Sequence, residues 1–91
     1  MTPLPHSVRP TISVLMDLPP AARFHVATLA AISHACDAIG VDAVVRVVTT
    51  DAIGEIGDGV VIGPGSPYRD PRAAEEVIRA ARERGVPLVG T

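Results

Sequence analysis

Cys36 is the single thiol of the chain, and imidazoles occur only at His6, His25 and His34. A thiol becomes a nucleophile or a sulfur donor when a neighbouring base or positive charge favours the thiolate. No histidine stands three or four residues from Cys36, and His34, two residues away, projects from another side of a helix. Two readings of Cys36 therefore stand together. It is either a reactive group, or a small apolar residue in step with Leu29 and Ile32. A second group of candidates lies in "GPGSPYRD", Gly63–Asp70. Glycines there would let backbone N–H groups approach a bound group, and Arg69 offers a forked donor for a carboxylate or phosphate. Gly63, Gly65, Ser66, Tyr68 and Arg69 are the candidate ligand contacts, with Asp17 and His25 beside them. The plainer reading is a turn shaped by Gly and Pro, capped by Asp70. His6 and His34 carry no argument.

The elements that must position these groups are legible as blocks. "TISVLM" (Thr11–Met16) is a β-branched apolar run and reads as a buried strand. "AARFHVATLAAISHACDAIG" reads as a helix whose inner face carries Leu29, Ile32, Cys36 and Ile39 and which stops at Gly40. "AVVRVV" (Ala43–Val48) is a second strand. "TTDAIGEIGD" has room for one helical turn at most. "GVVIG" is a third strand. Asp70 followed by Pro71 starts a second helix, with Ala74, Val77, Ile78 and Ala81 expected inside and Gly85 at its end. "VPLVG" is a fourth strand.

The order β-α-β-β-α-β, with apolar strands between helices, predicts a small α/β domain. Its sheet is parallel and flavodoxin-like, with helices on both faces, over residues 11–91. Residues 1–10 read as an extended, loosely held tail. In such sheets ligands bind at the carboxyl ends of the strands. That edge receives Asp17, His25 and the Gly63–Arg69 bend, whereas Cys36 belongs at the opposite edge.

Composition narrows the function. The chain has 91 residues, 47% apolar and 20% charged, with a net charge of −2. A mildly acidic chain without a basic stripe argues against nucleic acid, and no apolar run approaches the length of a membrane span. One cysteine and no apolar leader near Met1 fit a reducing, cytoplasmic setting. No spacing of His, Cys or carboxylates suits a metal, and there is no phosphate-binding or dinucleotide fingerprint, so no cofactor is expected. Phe24 and Tyr68 are the only aromatic residues, so the core must be aliphatic.

"VVIGPGSPYRD", a helix, then "GVPLVGT" resembles the class I glutamine amidotransferase-like domains related to the C-terminal part of CTP synthase. "HVATLAAI" and "VVTTD" fit the same family more loosely. The resemblance covers Thr11–Thr91 and implies the front half of such a domain. It implies that the backbone N–H groups of Gly65 and Ser66 line an oxyanion hole. It also implies a nucleophile elbow after the strand matching "PLVG", and that elbow would fall past Thr91. The expectation is a truncated amidotransferase-like protein that is not a glutaminase on its own and binds a small anionic or nucleoside-like ligand in a biosynthetic pathway. Two further readings stand beside it. One is an enzyme using Cys36 for sulfur transfer; the other is a structural subunit completing a split amidotransferase. An uncovered sheet in a half-domain predicts association, as a homodimer or with a partner chain.

Overall fold

The computed structural model describes residues 9–64 and 68–90 of the chain; the tail residues 1–8, Gly65, Ser66, Pro67 and Thr91 lie outside the described residues. The elements are β1 (Thr11–Leu15), α1 (Arg23–Ile39), β2 (Val44–Val48), β3 (Gly59–Ile62), α2 (Pro71–Arg84) and β4 (Leu88–Gly90). The strands form one four-stranded sheet in the order β2-β1-β3-β4. Every neighbouring pair is parallel. This is the small flavodoxin-like α/β arrangement that the alternating blocks predict. The chain is tied before β1 begins. Arg9 pairs with Asp42 at 2.9 Å, and the Pro10 carbonyl accepts the Val44 N–H.

Register sorts the side chains between the two faces. Leu15 lies beside both Val48 and Ile62, and Val60 lies beside Leu88. Because side chains alternate along a strand, these residues share one face. There Leu15, Val60 and Ile62 pack with Val77 of α2, and Ile53, Ile56 and Tyr68 pack against them. The β2–β3 connection covers the same face. Its Gly57 N–H donates to the Ser13 hydroxyl at 2.9 Å, and the Arg46 guanidinium donates to the Glu55 carbonyl. Val14, Val47, Val61 and Val89 take the other face, where α1 lies.

α2 is terminated at both ends by its own sequence. The Asp70 carboxylate accepts the Ala73 N–H at 3.0 Å, Pro71 occupies the first turn, and Gly85 (φ 69) closes the helix. Ala74, Val77 and Ala81 are buried, but Ile78, expected with them, is 38% exposed. At 100° from Val77 it falls on the flank of the buried stripe. α1 departs further from expectation. Leu29, Ile32 and Cys36 are half-buried, and Ile39 is 73% exposed. A helix of 17 residues spans roughly 25 Å, and a strand of five only about 17 Å, so the last turn overhangs the sheet.

Candidate functional site

The C-terminal ends of β1, β2 and β3 converge on one carboxylate. Asp17 and Thr50 each lie two residues past a register pair, Leu15 and Val48, which brings them level. Asp17 Oδ1 accepts the Thr50 N–H at 2.8 Å. Its Oδ2 accepts the Thr50 hydroxyl at 2.7 Å and the Arg69 N–H at 2.9 Å. Thr50 Oγ1 in turn accepts the Asp70 N–H at 2.9 Å. One aspartate and one buried threonine thus tie together the loops after all three strands. The carboxylate is half-buried, and that burial by itself would raise its pKa. The N–H groups of Thr50 and Arg69, the Thr50 hydroxyl and the Arg69 charge outweigh it, and hold Asp17 below the usual aspartate range.

Gly63 is buried where β3 leaves the sheet, and its N–H donates to the Leu15 carbonyl at 2.9 Å. That N–H is spent on the sheet and cannot reach a guest molecule. A Cβ at this position would meet the Met16 side chain, so the glycine answers to packing. Gly65 and Ser66, the expected oxyanion donors, lie outside the described residues. Tyr68 is half-buried against the core, its hydroxyl 3.5 Å from the Gly63 carbonyl. The Arg69 side chain is exposed, with its guanidinium 4.0 Å from the Asp51 carboxylate. The backbone of Arg69 is anchored while its charge remains free to turn toward solvent.

His25, in the first turn of α1, is 6% exposed. Its Nδ1 lies 3.0 Å from the Leu18 carbonyl. A carbonyl can only accept, so Nδ1 carries a proton. The histidine is a fixed, buried group. Cys36 is far from it. Eleven residues of helix place the two about 16 Å apart along the α1 axis, with Cys36 at the other edge of the sheet.

The structure therefore brings Asp17, His25, Gly63, Tyr68 and Arg69 to one edge and leaves Cys36 out. Thr50 was missed as a partner. The signal that could find it is the "VVTTD" segment, in which a threonine follows a buried strand at the same depth as Asp17, but this requires the register. Among the described residues no cluster of His, Cys, Asp and Glu could hold a metal ion, and no helix is long and apolar enough to cross a membrane. No family model, curated protein or solved structure matches the chain.

Proposed function

We propose that the chain is an amidotransferase-like protein which binds a small anionic or nucleoside-like ligand at the carboxyl edge of its sheet and works in association with another chain. The observation that supports this reading is the Asp17–Thr50 tie. It holds the backbone of Arg69 and Asp70 against the ends of two other strands. A backbone anchored in this way lowers the ordering cost of binding through the residue it carries. Arg69 supplies the positive charge, and the start of α2 adds the dipole of a helix N-terminus. In this reading Asp17 positions the bend and does not touch the ligand, because its oxygens are engaged by three donors. His25 borders the site with its ring held at Nδ1 by the Leu18 carbonyl.

A ¹⁵N-labelled sample titrated with inorganic phosphate, glutamine and a nucleoside monophosphate tests the proposal. Shifts confined to residues near Arg69, Tyr68 and His25 are expected for at least one of them, with about tenfold weaker binding in Arg69→Ala. Undisturbed spectra at millimolar ligand would overturn it.

A further inference from the structure

The α1 face of the sheet is only half covered. Four strands spaced about 4.8 Å apart make a floor roughly 14 Å wide between the outer strands, and a helix about 10 Å across covers two of them. α1 lies over the β1 side. Beside it runs a groove of about 550 Å³ over β3 and β4, floored by Val61 and Val89 and walled by Phe24, Ala27, Ala31 and Ala35. Phe24 is 60% exposed and Val89 59%. On the opposite face the groove between α2 and the β2–β3 connection is smaller, about 320 Å³, and Glu55, Glu76 and Arg84 stand among its lining residues.

The helix beside the groove is itself short of partners. α1 has no charged residue between Arg23 and Asp37 and buries only His25. Arg23, Ser33, His34 and Asp37 give it a polar side away from the groove, but the side at Phe24, Ala27, Ala31 and Ala35 is apolar, and an apolar helix side is normally buried against another element. Here that side is open.

We infer that a second copy of this chain covers the face, by laying its own α1 into the groove parallel to the first. A twofold axis along the line between the two helices places each α1 over the β3–β4 half of the other copy. Two helices then lie side by side between two sheets. Ala27, Ala31 and Ala35 meet their own counterparts and allow an axial separation near 8 Å. Ala30 and His34, on the side of α1 turned away from its own sheet, face Val61 and Val89 of the other copy. α2 could not serve as the occupant, because Arg72, Glu75, Glu76, Arg79, Arg82, Glu83 and Arg84 surround its buried stripe. The two open sides of a 25 Å helix and the strip of sheet amount to on the order of 600 Å² per copy, the lower bound for a specific dimer. The inference rests on the association proposed above, not on the ligand. The phosphate and nucleotide titration reads the ligand separately, so either can fail alone.

Sedimentation equilibrium on the full chain is expected to show a dimer at ~100 µM that dissociates on dilution through a Kd of about 10 µM. Ala31→Arg, at an exposed helix position, should give a monomer with an unchanged circular dichroism spectrum. In a Cys36→Ser background, Ala27→Cys and Ala35→Cys should each cross-link to itself on oxidation. Parallel helices bring each residue against its own copy, within the reach of a disulfide. A monomeric wild-type chain overturns the inference. So does a dimer that survives Ala31→Arg, or one in which neither cysteine variant cross-links. Wild-type chain that is monomeric alone but gains a different polypeptide in the groove overturns it in favour of a partner subunit.

Discussion

α1 and α2 are crossover helices on the same sheet, built to different specifications. α2 carries a side-chain N-cap, a proline in its first turn and Arg82 and Arg84 in its last, whereas α1 has no cap side chain, no acid in its first turn and no base in its last. α2 buries an alanine–valine stripe and turns charges outward. α1 buries one histidine and turns alanines, Phe24 and Val26 outward. An amphipathic helix is complete when it docks on a sheet. α1 instead leaves the apolar side at Phe24, Ala27, Ala31 and Ala35 open beside the sheet.

The sharpest test of that contrast is the same substitution on each side. Leu15 is fully buried on the α2 face, and Leu15→Ala should cost about 3–4 kcal/mol in urea unfolding. Leu29 on α1 is half-buried, and Leu29→Ala should cost roughly 1–2 kcal/mol in dilute monomer. If the α1 side is covered by a second copy, the Leu29 penalty should change with protein concentration and the Leu15 penalty should not. Equal costs at all concentrations would remove the distinction between the two faces.

Asp17 belongs to neither helix and joins both halves through the strand ends. Asp17→Ala should cost about 2 kcal/mol at neutral pH, since it leaves the Thr50 and Arg69 N–H groups without their acceptor. Its folded pKa lies below that of an unfolded aspartate, near 3.9. The stability it contributes is therefore complete above the unfolded value and is lost as pH falls through the folded one. The gap between wild type and Asp17→Ala should close in unfolding curves recorded from pH 6 down to about pH 2. A gap that stays constant over that range would mean that the charge on Asp17 plays no part.

Much of this was legible in the chain itself. The blocks gave themselves away through β-branched runs, and α2 through Asp70–Pro71 and Gly85. The crossover pattern placed Asp17, His25 and the Gly63–Arg69 bend at one edge and Cys36 at the other. What could not be read was pairing at a distance. Nothing in "VVTTD" says that Thr50 will meet Asp17, because that follows from the depth at which β1 and β2 register. Likewise Gly63 looks like a ligand contact until the Met16 side chain and the Leu15 carbonyl are seen beside it. The burial of α1 was overestimated for a related reason. Helical periodicity separates Arg23, Ser33, His34 and Asp37 from an apolar arc so wide that the sheet covers only part of it.

The helix ends offer a finer comparison. Asp70→Ala removes the bond to the Ala73 N–H and should lower stability by about 1 kcal/mol. At α1 the equivalent position is Ala22, which already has the extended backbone of an N-cap (φ −65, ψ 140) but no oxygen to offer. Ala22→Asp should therefore stabilise the chain by roughly 0.5–1 kcal/mol, through a new acceptor and a negative charge at the helix N-terminus. Ala22 is only half-exposed, and if the start of α1 sits too close to Leu18 for a carboxylate, the gain should vanish in Asp and survive in the smaller Ala22→Ser. A loss in both variants would show that the entry to α1 is set by packing around His25, whose Nδ1 already holds the Leu18 carbonyl, and not by the uncapped N–H groups.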